Sequence, residues 1–351
     1  MDAHINIPIV DRHNMLQLLT SFPDQFQHAR QIGNDFKFNV DPSKIKTIIF
    51  AGMGGSAIGG DLIISYLGDQ FTQPASVIRN YSLPGYVDSS SLVIVSSYSG
   101  NTEESISCLE HAKAKKAHVL CITSGGEIAA IARKNGFPII TVPGGAPPRT
   151  ALAYLSIPII IFLTKNGFAA DISAELDETE HLLKQKAGDY SPHSKNNPAA
   201  ALAQKLSGKI PILYSTADLL SVVGLRWKGQ LSENAKVLAF QNVFPELNHN
   251  EIVGWEKLRH LFENFQIIYL KDRADHPRNQ KRMEITKKIL EQVAPLILEL
   301  FTEGESRLAR LFSLIYLGDM VSFYLAILNG IDPTPVEKIQ LLKDQLQLVI
   351  S

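Results

Sequence analysis

The chain has little cysteine, no block of like charge and no long apolar run, and each shortage removes a class of function. Only Cys108 and Cys121 occur among its 351 residues. They lack CxxC or histidine spacing, so both are read as core thiols in a reducing compartment. Motifs of the HxH or HExxH type and carboxylate clusters at ligand spacing are missing as well, so no metal and no cofactor is expected. Lys and Arg number 34 against 35 Asp and Glu, a formal net charge of -1. Nothing in that balance draws the chain to nucleic acid or anionic lipid, and the expected partner is a small molecule. The most apolar run, "ALAYLSIPIIIFL" (151–163), falls short of the ~20 residues a membrane span needs. The N-terminal "MDAHINIPIVDRHN" has no basic stretch followed by an apolar one. A cytoplasmic protein without a membrane partner is expected.

What is present is a chain 45% hydrophobic, long enough for two domains, each with its own core. Helical spacing over 14–32 is followed by a strand at 44–50 and then by alternation. Helix 56–67, strands "ASVIRN" and "SLVIVSSY", helix 102–116, strand "HVLCITS", helix 127–135, strand "FPIITVP" and helix 148–165 follow in turn. Such alternation predicts a mainly parallel sheet flanked by helices. A polar stretch at 166–200 reads as a helix and a loop. The pattern then resumes with strand "KIPILYS", helix 217–231, strand "KVLAFQN", a loop with a short helix at 245–258, strand "FQIIYL", helix 278–292, strand "PLILEL" and helices 304–328 and 335–348. The expected division is 1–165, 166–200 as linker and helical insert, and 201–351. Two α/β modules so packed would leave a ligand cleft between them.

Two loops carry chemistry. In "IIFAGMGGSAIGGDL" (48–62) five glycines fall in nine residues after a strand. Gly52, Gly54 and Ala57 satisfy the first half of a dinucleotide fingerprint, G-x-G-x-x-A. The second half fails, because the next strand ends in "VIRN" without an acid, although Arg79 would suit a 2'-phosphate. The glycines could also serve only a tight turn and close helix packing. In "SSYSGNTEES" a strand ends in Ser97, Ser99, Asn101 and Thr102 just before a helix. Hydroxyls and free N–H groups at a positive helix terminus suit a phosphate monoester. The competing reading, a capping box from Asn101 and Glu104, explains only one or two of those residues.

"GMGGSAIGGD" with "SSYSGNTEES" resembles the sugar isomerase (SIS) domain. Together with "GGAPPRTALAYL", "LSENAK", "ELNHNEIVGW" and "GIDPTPVEKIQLLK", the chain resembles the bifunctional phosphoglucose/phosphomannose isomerases, over residues 52 to 343. The resemblance implies an α/β chain of two SIS-type modules, each a mainly parallel sheet flanked by helices. It implies a metal-independent aldose-ketose isomerase, an intramolecular oxidoreductase interconverting glucose 6-phosphate and mannose 6-phosphate with fructose 6-phosphate through an enediolate. It further implies a homodimer, with a place in glycolysis and gluconeogenesis.

The same resemblance assigns residues. Glu233 matches the base that moves a proton between adjacent carbons; without the family it reads as a solvated charge or a cap. His249 matches the ring-opening residue, a side chain whose unperturbed pKa of roughly 6.5 suits the task. Arg149 matches the group that stabilises the enediolate. A cation at the start of a helix, opposing the dipole at a cost of ~0.3–1 kcal/mol, itself suggests an anionic partner, unless it is a snorkelling surface arginine. Lys343 matches a lysine at the sugar ring, with Lys338 five residues earlier on the same helix as its competitor. Gly55, Ser56, Ser97, Ser99 and Thr102 would hold the phosphate. Two rival functions remain at this level: a non-catalytic sugar-phosphate-binding SIS protein, and a nucleotide-dependent oxidoreductase that would need dinucleotide affinity at "GMGGSA".

Overall fold

The computed structural model describes residues 7–294 and 296–348. Three helices lead in, α1 (Ile7–Val10), α2 (Met15–Thr20) and α3 (Phe22–Asp35). The first sheet is built from β1 (Thr47–Ala51), α4 (Gly54–Leu67), β2 (Ala75–Ile78), β3 (Ser91–Ser96), α5 (Glu103–Ala114), β4 (His118–Thr123), α6 (Gly126–Asn135) and β5 (Ile139–Thr141). A 3-10 turn at Pro148–Thr150 then enters α7 (Leu152–Lys165), and α8 (Ser173–Asp189) and α9 (Pro198–Leu206) follow. The second sheet uses β6 (Ile210–Thr216), α10 (Ser221–Glu233), β7 (Phe240–Phe244), three 3-10 turns between Glu246 and Asn264, β8 (Phe265–Lys271), α11 (Pro277–Leu290) and β9 (Leu298–Phe301). The described chain closes with α12 (Arg307–Leu328) and α13 (Glu337–Gln347). The ends of the expected outer units, 1–6 and 349–351, lie outside the described residues, as does the first residue of the expected strand at 295–300.

The strand order is β2-β1-β3-β4-β5 in one sheet and β7-β6-β8-β9 in the other, with every pairing parallel. Strands with helices on both sides must be apolar throughout, and β3 is buried at all six positions. The two-module α/β architecture is therefore present, and the same order of edge, first, third and fourth strand recurs in both halves.

The core departs from the expectation of one per domain. A single cluster runs from Phe26 and Ile94 through Ile160 to Trp227 and Phe312, so both halves share it. Each sheet adds a smaller cluster on its other face, around Val93 and Cys121 in one and around Tyr214 and Tyr269 in the other. The fusing element is α12. Nearly all of it is buried, and it packs on α8, α9 and α10. Its Phe312 and Tyr316 stack on Phe22, and the Tyr316 hydroxyl donates to the Leu19 carbonyl, 3.0 Å. Among the described residues it is the one helix long and apolar enough to cross a membrane, and its burial marks it as the core helix of a folded protein. Its apolar sequence is also consistent with a subunit interface; the packing assigns it to the interior instead.

Local departures have local causes. Helix α9 begins inside the stretch read as loop up to 200 and runs over 201–206, for which no element is expected; Asn197 caps it by accepting from Ala200 N and Pro198 sits at its first turn, a start signal masked by the polar run before it. The division at 200/201, which stays a proposal, falls inside this helix. β7 lies at 240–244 rather than 236–242, because Lys236 adopts a left-handed φ of 57° and Ala235 is buried in the turn leaving α10.

Both cysteines are buried and unpaired. Burial pushes the Cys108 thiol up to about 11, with Glu104 adding to it, and the Cys121 thiol up to about 12. A raised folded-state value contributes stability that is complete below the ordinary thiol range and is lost as pH rises through these values. At pH 8 neither thiol should react with iodoacetamide in the native protein and both should react in denaturant; native-state labelling of Cys121 would contradict the burial.

Candidate active site

The glycine turn after β1 and the serine turn after β3 meet at the carboxyl ends of their strands. Ser56, buried in the first turn of α4, accepts from Tyr98 N at 3.1 Å and so ties one loop to the other. Ser97 accepts from Gly100 N at 3.2 Å and donates to Thr102 Oγ1 at 3.0 Å, while Ser99, exposed, accepts from Asn101 N. The capping box is not formed: Thr102 is the cap residue of α5, and Asn101 Oδ1 accepts from Glu127 N on α6 instead. Gly100 makes the turn possible. Its φ is +74°, and a Cβ there would stand 1.8 Å from the Gly125 carbonyl oxygen.

A cavity of 180 Å³ opens beside the glycine turn, between the α4 N-terminus and α10. Gly54 and Gly55 form one wall; no side chain caps α4 there. Gly55 is a close-approach glycine, since a Cβ would meet the Pro148 carbonyl oxygen at 2.8 Å. That contact brings the next residue, Arg149, to the cavity, where Glu233 from the last turn of α10 faces it.

Arg149 is 4% exposed. Its Nε donates to Asn234 Oδ1 (2.6 Å), and its Nη2 donates to the carbonyls of Pro333 (2.9 Å) and Thr334 (2.8 Å). Nη1 reaches Glu233 Oε2 at 3.4 Å, a loose contact with a carboxylate one-third exposed. Three of five N–H groups are thus held by the protein, which leaves the Nη1 edge to the cavity. Burial pulls the guanidinium below its ordinary range and Glu233 opposes this. A second arginine on the same wall, Arg226, is clamped by Asp319 of α12 and donates to the Arg149 carbonyl at 2.9 Å.

Of the residues expected from the sequence, Arg149, Glu233 and Gly55 line the cavity; Ser56, Ser97, Ser99 and Thr102 do not line it, and are tied to its glycine wall through the Ser56–Tyr98 bond between the two turns. Two others stand elsewhere. His249 ends a 3-10 turn after β7, is exposed, and does not line the cavity. Its loop is fastened by Glu251, which accepts from the Tyr214 hydroxyl and from Asn242 Nδ2. Lys343 and Lys338 lie on α13, whose residues 337–346 are all exposed, so both lysines face solvent. Arg79, offered above for a 2'-phosphate, is paired with Asp61. Missed were Asn234, Lys236, Arg226 and Asp319. Lys236 Nζ donates to the carbonyls of Glu233 and Pro333, and "LSENAK" already held it and Asn234. A lone Asp319 inside an apolar helix was a legible sign of a buried, paired charge.

Residues 195–346 match the bacterial phospho-glucose isomerase C-terminal SIS domain, and residues 43–156 match the SIS domain. The bifunctional phosphoglucose/phosphomannose isomerase of Caldicellulosiruptor bescii is 45% identical over 334 residues, 95% of this chain and 98% of that one. The protein of the same name from Aquifex aeolicus is 38% identical over 88% of this chain and 92% of its own. In fold the chain is also similar to tagatose-6-phosphate ketose/aldose isomerase from Escherichia coli, with a TM-score of 0.69 at 16% identity over 92% and 95% of the two chains.

Replacing Gly100 with alanine should destabilise the protein by about 1–3 kcal/mol through its left-handed backbone alone, measured by urea unfolding, and an unchanged midpoint would contradict the turn geometry. With both modules matched and two relatives aligned over nearly their whole length, the chain belongs to the bifunctional phosphoglucose/phosphomannose isomerase family.

Proposed function

We propose that the chain interconverts glucose 6-phosphate and mannose 6-phosphate with fructose 6-phosphate by proton transfer through an enediolate, without a metal. The observation that carries this is the pairing at the cavity of an accessible carboxylate, Glu233, with a buried guanidinium whose one unheld edge faces it. Aldose-ketose isomerisation needs both: a base to take a proton from C2 and return it to C1, and a fixed cation for the oxygen that gains charge in between.

The remaining roles follow from position. The hydroxyls and amides of Ser56, Ser97, Ser99 and Thr102, with the Gly55 backbone, grip the phosphate as neutral donors. One end of an open-chain hexose is then fixed and C1 and C2 are set beside Glu233. Arg149 Nη1 binds the C1 and C2 oxygens more tightly as the enediolate forms. Both epimers use the same base and differ in the face of C2 that loses the proton. His249 is assigned to ring opening. Since it does not line the cavity of its own chain, that role requires a second copy to present it, in line with the homodimer read from the sequence. Lys343 is assigned to the sugar ring by the same route. Its α13 is rooted in the 333–334 strap that Arg149 holds, so the helix is tethered to the site even though its lysines are exposed. The two buried, unpaired thiols fit a reducing, cytoplasmic setting.

Chelator-treated protein incubated with fructose 6-phosphate in deuterated water should yield glucose and mannose 6-phosphates labelled at C2. Glu233→Gln should lower the rate by about 10²–10⁴-fold with phosphate binding retained. Sugar bound without exchange or turnover would instead indicate a sugar-phosphate-binding protein.

A further inference from the structure

Two buried arginines stand side by side on the cavity wall, and their partners differ in charge. Arg226 donates through Nε and Nη2 to Asp319 Oδ1 and Oδ2 at 2.9 and 2.7 Å, and Gln230 Nε2 adds a third donor to Oδ1 at 2.8 Å. Burial pushes the Asp319 carboxyl up and Arg226 pulls it back. With N–H donors on both oxygens, the charged form is the one this arrangement satisfies, so Arg226 is neutralised in place. Arg149 has no such partner. Its Nε and Nη2 acceptors are an amide oxygen and two carbonyls, all neutral, and only Glu233 offers charge, at 3.4 Å.

The amide belongs to Asn234, which is fully buried and next in sequence to Glu233. Its orientation is fixed from the far side. Ser322 donates its hydroxyl proton to the Asp319 carbonyl at 2.7 Å, so toward Asn234 its oxygen accepts, from Nδ2, at 2.9 Å. Oδ1 must then face Arg149. The other charged groups about the cavity are engaged: Arg79 with Asp61, and Lys236 with the carbonyls of Glu233 and Pro333.

We infer that Asn234 is the positioning residue of Arg149, holding the guanidinium at a fixed angle with a neutral oxygen so that its charge remains available to the enediolate. The inference rests on the isomerase reading above. An aspartate, equal in size, would keep the acceptor and pair off the charge, turning Arg149 into a second Arg226. A well-folded Asn234→Asp enzyme would therefore still bind substrate but would stabilise the transition state poorly.

The test compares two five-carbon inhibitors on the full chain: arabinonohydroxamic acid 5-phosphate, planar and anionic like the enediolate, and arabinitol 5-phosphate, which shares only the phosphate and hydroxyls. Asn234→Asp should lower kcat by about 10²-fold, keep KM within about 3-fold, and weaken the hydroxamate alone by a similar factor. Asn234→Ala, which frees the guanidinium without cancelling its charge, should show the same selectivity loss at about 10-fold. Wild-type kcat and hydroxamate affinity in Asn234→Asp would overturn the inference, as would equal weakening of both inhibitors. Arg149→Lys run in parallel separates the premise: if that variant keeps wild-type selectivity for the hydroxamate, the assignment of Arg149 itself fails, whatever the Asn234 variants do.

Discussion

The fixing of one guanidinium from three directions is the constraint on which the site depends. Arg149 comes from the turn between the first sheet and α7, its Nε partner from the end of α10, and its Nη2 partners from the strap that leads into α13. Segments 184 residues apart are closed on one buried cation. A charge so deeply placed is costly unless its donors are matched, and the protein matches three while leaving the reactive edge toward the carboxylate. Had the match been made with carboxylates, the charge would be neutralised in place, as it is for Arg226 with Asp319 on the same cavity wall.

That arrangement also accounts for the shared core. Domains with separate cores shift against one another by default, and a Glu233 on α10 facing an arginine before α7 would tolerate little shift. Burying α12 between the halves, with Phe312 and Tyr316 against the leading helix and Asp319 on Arg226, removes that freedom. The same helix carries Ser322, which orients the Asn234 amide. Rigidity of the interior and geometry of the site are therefore set by one element.

How far the sequence disclosed this depends on the range of the interaction involved. The strand-helix alternation, the glycine turn and the hydroxyl turn rest on periodicity and backbone preference, which act over a few residues, and they were legible. Arg149 and Glu233 were legible through motif resemblance, although the reason first given for Arg149, a cation opposing a helix dipole, is secondary to its bonds with 234, 333 and 334. Asn234 sat unread in the middle of a quoted motif, because an asparagine after a helix looks like an ordinary cap until its partner 85 residues away is known. The fused core was illegible for the same reason: the apolar pattern of α12 says that it is buried and not against what.

The recurrence of strand order allows the two modules to be compared turn by turn, and the comparison explains why they contribute different chemistry. After β3 the turn is closed by hydroxyls bonded to one another and by a glycine with left-handed backbone, so its donors have no internal anion. After β8, the corresponding strand, the chain supplies its own carboxylates. Asp275 accepts from the Thr216 hydroxyl and from Asp272 N, and Asp272 accepts from Ala274 N, the Thr302 hydroxyl and Arg310 Nε. Donors already bonded to a fixed carboxylate have nothing left for a phosphate, and a second negative charge there would be repelled. The turn after β3 thus carries no carboxylate bonded to its hydroxyls, and the turn after β8 carries two that take up its donors. The second module places Glu233 and Asn234 at the end of α10, facing across to the first module's arginine, so that both halves line one cavity.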